Sequence, residues 1–424
     1  MVDIILDDRL TSLKEQFPDT PDTIILKADV LREGISFSAE MAEAGSWSIP
    51  GGAFLSRENI PERESYGADA RPPNQMILDD DTRINTELDH ASPYAIRGNR
   101  DSGYTLCRHD EPVTPLSFTP RPEFSGELYD GSSIASALGQ RAEHCAAIVH
   151  TVFCEYGRDG DECAYCFLGN VQTPKIIKSG RRLRGTNHRR TIEACAAASR
   201  QIRLDHVVVS GGALVDTTLE VKSYVKTVSA LRAAVGPDTR ITAVCQAFDQ
   251  VGWRALQEAG VSRVQPNLEV WDEDLWAKII PGKAKAIGKE LWIERLKQAI
   301  DVFGVGEVAT SFVAGIECCD PSTNYTEVKA LAAHGEAYES LLNDEIVPMF
   351  GLLTKARGTR YENVELPATE FFLQLGWNRT QMMQQSGMFD RYTSGVDADF
   401  SCYKCVTHKT CQDYPRLMEL SGNT

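Results

Sequence analysis

No apolar run in this 424-residue chain approaches the roughly 18 residues that a membrane span requires. The opening Met1-Val-Asp-Ile-Ile-Leu-Asp-Asp8 also lacks the basic n-region of an export signal. Together these absences predict a cytoplasmic protein that does not engage a membrane. Internal repeats and low-complexity tracts are missing as well, so no repeat architecture is expected. Positive charge is in short supply: 44 Lys and Arg against 60 Asp and Glu leave a net charge of −16. Such a balance repels a phosphate backbone and makes a nucleic-acid binder unlikely. With no export signal, the 12 cysteines read as thiols, metal ligands or cluster ligands rather than a disulfide framework.

What is present fits a soluble globular chain with 42% hydrophobic and 25% charged residues, long enough for more than one domain. Residues 1–45 read as mostly helical, with Leu10, Leu13 and Phe17 on one face and Pro18 and Pro21 breaking the pattern. Residues 46–130 are rich in Gly, Pro, Asp and Arg and read as irregular or short-stranded, around pieces such as Gln75 to Leu78 and Tyr104 to Cys107. The expectation for 1–143 is a cap packed on the domain that follows. A sharper alternative has Arg97, Arg100, Tyr104 and Arg108 lining a substrate entrance.

From residue 144 the pattern changes to short β runs alternating with amphipathic helices. Strands are predicted at 146–153, 206–210, 240–246, 261–270, 308–315 and 346–351, with helices at 191–203, 218–235, 250–259, 290–303 and 324–342 between them. Six βα units in succession argue for a parallel sheet with right-handed crossovers, either open or barrel-like. Gly304-Val-Gly306-Glu-Val-Ala309 matches a dinucleotide fingerprint only on paper, because it follows a helix and precedes a strand. Residues with chemical character instead sit at the carboxyl ends of successive strands, where a βα barrel keeps its active site.

The most pointed of these is the loop Cys154-Glu-Tyr-Gly-Arg-Asp-Gly-Asp-Glu-Cys163-Ala-Tyr165-Cys166, in which three thiolates converge where the first strand ends. Thiolates are the usual ligands of iron–sulfur clusters, and three of them suit a four-iron cluster with one iron left open. Zinc is the alternative, with His150 as a possible fourth ligand, although structural zinc normally fills all four positions. Further strand ends carry Gly211-Gly212, Asn267 with Glu269, and Gly315-Ile316-Glu317.

The C-x8-C-x2-C loop ending in Tyr-Cys, in this order with those strand ends, resembles the radical SAM superfamily over about residues 144–376. The run Gln265-Pro-Asn-Leu-Glu-Val-Trp-Asp-Glu-Asp274 followed by Ile280-Pro-Gly282 is similar to the biotin synthase, thiazole-forming tyrosine lyase and hydrogenase-maturase branch. The resemblance implies an α/β fold, a partial (β/α)6 barrel over 144–376, with an N-terminal cap at 1–143 and a small cysteine-containing extension at 377–424. It implies a [4Fe-4S] cluster on Cys154, Cys163 and Cys166, with S-adenosylmethionine on the open iron. Tyr165 would lie against the adenine, and Gly211 and Gly212 would let backbone carbonyls approach the methionine ammonium. Members of the family often have a carboxylate after this glycine pair, where this chain has Ala213. Asn267 and Glu269 would meet the ribose hydroxyls, and Gly315 and Ile316 would support the adenine.

Two further stretches remain. Lys175, Lys178, Arg181, Arg182, Arg184, His188, Arg189 and Arg190 lie together in an otherwise acidic chain and read as a loop for an anion, a substrate phosphate or an acidic flavodoxin- or ferredoxin-type reductant. Cys402, Cys405 and Cys411 have C-x2-C-x5-C spacing that resembles part of a SPASM-type auxiliary motif, but Pro415 stands where a fourth cysteine is expected. They read as a second iron–sulfur cluster, with a small zinc knuckle using His408 as the alternative. The expected function is hydrogen abstraction from a small biosynthetic metabolite. Radical sulfur insertion or peptide modification is the runner-up, and a zinc-stabilised binding or regulatory barrel is the reading from another class.

Overall fold

The computed structural model describes residues 4–36, 75–89, 91–118, 124–142, 144–179, 188–320 and 323–393. Helix Asp8–Gln16 is opened by the Asp7 carboxylate, which accepts from the Leu10 amide. Pro18 and Pro21 then separate it from helix Asp22–Glu33, since proline cannot continue a helix interior. Five antiparallel strands follow: β1 (Gln75–Ile77), β2 (Arg83–Asn85), β3 (Tyr94–Asn99), β4 (Gly103–Arg108) and β5 (Glu111–Phe118), in the order β2-β1-β5-β4-β3. This sheet is more regular than the sequence leads one to expect. Its β4–β5 turn is made by His109 and Asp110, both at positive φ, and those are not the usual residues of a tight hairpin turn.

The N-terminal helices are fastened to the rest of the chain through a buried carboxylate. Asp29 is fully buried and accepts hydrogen bonds from Tyr94 Oη at 2.7 Å and Thr369 Oγ1 at 2.6 Å. Arg9 adds a two-pronged bond to Glu370 at 2.8 and 2.9 Å. Helix Thr369–Gln385 is thereby clamped against helix Asp22–Glu33. Of the residues considered for an entrance, Arg97 pairs with Asp110 at 2.6 Å, Arg108 pairs with Asp7 at 2.5 Å, and Tyr104 meets the Phe118 ring edge-on. All three have partners among the N-terminal helices and the antiparallel sheet.

The second layer is the parallel one. An antiparallel edge strand, β6 (Gly139–Ala142), precedes β7 (Cys145–Thr151), β8 (His206–Gly211), β9 (Arg240–Ala243) and β10 (Arg263–Val264), which run parallel in chain order. Strands β11 (Ala309–Ala314) and β12 (Val347–Leu352) pair in parallel. Single parallel bridges, Val264 to Val308 and Glu269 to Phe312, join them to β10. The six parallel strands thus form one open arc in a mixed α/β fold, and among the described residues no pairing closes β12 onto β7.

Strands β7 and β8 are buried almost throughout, as strands covered by helices on their faces must be. Asp216, Asp249 and Asp272 cap helices Thr217–Val235, Gln250–Ala259 and Glu273–Ile279, which fixes where each helix turns back onto the sheet. The expected strand 261–270 is regular only at Arg263–Val264. Pro266 has no amide to give to a ladder, Glu269 turns to a left-handed φ of 69°, and isolated bridges replace continuous pairing. The paper fingerprint at 304–309 lies at the amino end of β11, where Arg263 reaches the Gly306 and Tyr392 carbonyls at 3.2 Å.

Candidate functional site

The loop after β7 is held in place from three sides. Thr173 Oγ1 accepts from the Cys154 amide at 3.0 Å, and Asn170 Nδ2 donates to both the Cys163 and Cys166 carbonyls at 2.8 Å. From the segment beyond β10, Ile279 accepts from the Ala164 amide at 2.8 Å and the Gly282 amide donates to Asp161 O at 3.0 Å. Glycine is required at the contacts themselves. A Cβ on Gly157 would stand 2.6 Å from the Gly169 carbonyl, and one on Gly282 2.5 Å from the Tyr156 ring.

These constraints bring the three thiols of Cys154, Cys163 and Cys166 within electrostatic reach of one another. Burial pushes the Cys163 thiol well above its usual range; Lys283 opposes this, and Cys166, Glu269 and Cys154 push it further. Burial likewise raises Cys166, with the Gly169 amide opposing and Cys154 adding to the rise. Cys154 is buried and Cys163 and Cys166 are half-buried, and thiolates are the donor chemistry that a polynuclear iron centre takes, so the residue types suit a cluster. Among the described residues no three His, Cys, Asp or Glu side chains are grouped to hold a metal ion. The His150 ring lies between β7 and helix Thr217–Val235, with its centroid 4.1 Å from that of Tyr224 and its Nδ1 3.4 Å from Ser223 Oγ. Burial lowers its pKa to about 3.

At the end of β8, Gly211 and Gly212 let the second strand lie directly against the first. A Cβ on Gly211 would stand 2.7 Å from His150 Cδ2, and one on Gly212 would collide with the Phe153 carbonyl and stand 2.8 Å from the Cys154 amide. The next residue, Ala213, gives its carbonyl to the Glu155 amide at 2.9 Å. Close packing on the thiol-bearing loop is thus a reason for the glycine pair that is invisible in the sequence.

Beyond β10, the Asn267 side chain accepts from Gln265 Nε2 at 3.1 Å. Glu269 is buried and carries its carboxylate on left-handed backbone, a conformation that costs a non-glycine residue roughly 1–3 kcal/mol and concentrates at functional sites. Lys283 Nζ donates to its Oε1 at 2.8 Å and to the Asn267 carbonyl at 3.0 Å, and Tyr165 lies within electrostatic reach of this carboxylate. Lys283, which sequence reasoning missed, is a nearly buried cation that stacks 4.8 Å over Trp292 and feels the charge of Cys163. Its only sequence signal is its place directly after Pro281-Gly282.

After β11, Gly315 adopts φ 91° and starts the short helix Ile316–Cys319, burying Ile316 completely. Glu317 lies 3.2 Å from His334 Nε2. Of the basic stretch, Arg189 stacks 4.1 Å over Tyr129 and Arg190 reaches Asp130 at 3.4 Å, so both hold the preceding segment. Arg181, Arg182 and Arg184 lie outside the described residues, as do Cys402, Cys405, His408 and Cys411.

No protein-family model matches the chain. The bacteriochlorophyllide c C-7(1)-hydroxylase of Chlorobaculum limnaeum is 26% identical over 207 residues, covering 45% of this chain and 50% of that protein. The chain therefore spans about half the length of the curated relative it matches. Similar solved structures include the FeFe-hydrogenase maturase HydG from Carboxydothermus hydrogenoformans, at 14% identity and TM-score 0.42 over 57% of this chain and 52% of that one. Coproporphyrinogen III oxidase from Escherichia coli, described as a radical SAM enzyme, has 11% identity and TM-score 0.37 over 58% and 54%. A radical SAM methyltransferase from Sphaerobacter thermophilus has 13% identity and TM-score 0.40 over 70% and 76%. The chain is similar to these proteins at low identity.

Proposed function

We propose that the chain is a radical SAM enzyme, in which Cys154, Cys163 and Cys166 hold a [4Fe-4S] cluster at the carboxyl end of the arc. The observation that supports this reading is three cysteines, one buried and two half-buried, on one clamped strand-end loop. With S-adenosylmethionine, such a cluster supplies a 5′-deoxyadenosyl radical that removes hydrogen from substrate.

The chain's own groups have separable tasks. Asn170, Thr173 and the 279–282 segment orient the thiols, while Tyr165, Glu269 and Lys283 set a buried polar wall beside them. Gly211, Gly212, Asn267, Gly315 and Ile316 border the same strand ends and are the surfaces on which the nucleoside and methionine parts would rest. A small biosynthetic metabolite is the substrate class, and a flavodoxin- or ferredoxin-type protein the reductant. Cys402, Cys405 and Cys411 hold a second iron–sulfur cluster on the strength of their spacing. No helix among the described residues is long and apolar enough to cross a membrane, and a cytoplasmic site of action accords with these cofactors.

Anaerobic reconstitution with iron and sulfide followed by Mössbauer spectroscopy tests the reading. The expected result is a four-iron signal and reductive formation of 5′-deoxyadenosine, both lost in Cys163→Ala, while Cys405→Ala keeps the radical cluster. Zinc in place of iron, or full cleavage by Cys163→Ala, would overturn it.

A further inference from the structure

Behind the thiols lies a second buried carboxylate that the proposed chemistry does not use. Glu220 sits in the first turn of helix Thr217–Val235 and is 1% exposed. A carboxylate in that position is costly unless fully hydrogen-bonded, and its donors come from two different strand-end loops. Its Oε2 accepts from the Leu214 amide and from Gln246 Nε2, both at 2.7 Å, and its Oε1 lies 3.4 Å from the Gln246 amide. Gln246, after β9, also donates to the Leu214 carbonyl at 2.8 Å and accepts from Tyr156 Oη at 2.6 Å.

Tyr156 is buried, lies two residues beyond Cys154, and rests its ring on Gly282. The Glu155 side chain closes the circuit by accepting from the Val215 amide at 2.8 Å. One chain of contacts therefore runs from the loop after β8, through the loop after β9, into the middle of the thiol-bearing loop, and out to the segment after β10. A leucine at 220 would fill the same space but would leave three donors unmet.

We infer that Glu220 is a positioning residue that fixes the thiol-bearing loop through the relay Glu220, Gln246 and Tyr156. The hydrogen bonds of the relay go to one another and to backbone, not to a thiol. Their effect is to hold the helical turn Glu155–Asp159, and with it the separation between Cys154 and Cys163, before any iron is present. Protein lacking iron can thus show the relay directly, and only the second measurement below rests on the cluster reading.

The test uses the full chain as wild type, Glu220→Gln, Tyr156→Phe and the double variant. Glutamine keeps the shape but turns an amide toward the Gln246 N–H, and phenylalanine removes only the hydroxyl. Amide hydrogen exchange in the iron-free protein is expected to quicken about fivefold or more across 155–163 in either single variant, the change that one lost hydrogen bond produces. The double variant should be no faster than the worse single one, because the two groups act through one relay. In reconstituted protein, iron release to a chelator should quicken in the same pattern. Wild-type exchange at 155–163 in Tyr156→Phe, or effects that multiply in the double variant, would overturn the inference. A wild-type chain that takes up no iron would sink the cluster reading and leave the exchange result standing.

Discussion

Lys283 and Glu269 form a nearly buried ion pair, 2.8 Å apart, across the segment that follows β10. The carboxylate sits on strained backbone within electrostatic reach of Tyr165, so the pair lies where the Cys-x-x-Cys turn meets the segment after the fourth parallel strand. Removing one partner of such a pair leaves an uncompensated charge, which costs about 3–5 kcal/mol, whereas replacing both together costs far less. Lys283→Met is therefore expected to destabilise the chain by about 3 kcal/mol in urea denaturation, and Lys283→Met with Glu269→Gln to recover most of that loss. Equal losses in both would remove the pair from this role.

The same substitution has an electrochemical consequence. Lys283 carries positive charge within reach of Cys163, and the net charge around a cluster helps to set its potential. In reconstituted Lys283→Met the midpoint potential should move to more negative values in a redox titration followed by electron paramagnetic resonance. An unchanged midpoint would show that Glu269 already cancels the lysine field.

Glu220 and His150 oppose each other as pH changes. Burial raises Glu220 from 4.5 to about 7 and lowers His150 from 6.5 to about 3. Between 4.5 and 7 the folded chain holds a proton on Glu220 that the unfolded chain has lost, so stability from this group falls as pH rises. Between 3 and 6.5 the unfolded chain holds a proton on His150 that the folded chain lacks, so stability from this group rises with pH. The two slopes cancel from about 4.5 to 6.5. Glu220→Gln should expose the histidine slope, losing stability as pH falls through that window faster than wild type does. Parallel pH profiles in urea denaturation would contradict these assignments.

Two glycines offer a contrast in which only one touches the thiol loop. Gly282→Ala would drive a methyl group into Tyr156, and iron uptake is expected to fall sharply while far-ultraviolet circular dichroism stays unchanged. Gly335 lies within helix Glu327–Asn343, and a Cβ there meets nothing within 4 Å. Gly335→Ala should therefore stabilise by about 0.5–1 kcal/mol through helix propensity alone, with no effect on iron uptake.

The parallel arc was legible in the sequence because short, largely apolar β runs such as those of β7 and β8 alternate with amphipathic helices. Harder to read was the end of β10, where Val261 to Val270 looks like a strand until Pro266 and the left-handed Glu269 interrupt the ladder. The cap sheet was underestimated for a similar reason, since β5 contains Pro112 and Pro115 and the preceding turn is His109-Asp110. Local pattern cannot reveal the partners of Lys283, Gln246 or Glu220. Gln246 and Glu220 reach groups on other strand-end loops and Lys283 reaches back 14 residues to Glu269, and only the three-dimensional arrangement brings them together. Similarly, the sequence marked Gly211 and Gly212 as permissive backbone without showing that the Phe153 and Cys154 backbone lies against them.

The clamping of residues 154–170 by Asn170, Thr173 and the 279–282 segment is made entirely of protein contacts. A zinc finger, by contrast, meets the entropy of ordering its ligands from the free energy of metal binding and unfolds when the metal is removed. The loop here has protein partners of its own on three sides, so a chelator is expected to leave the chain folded.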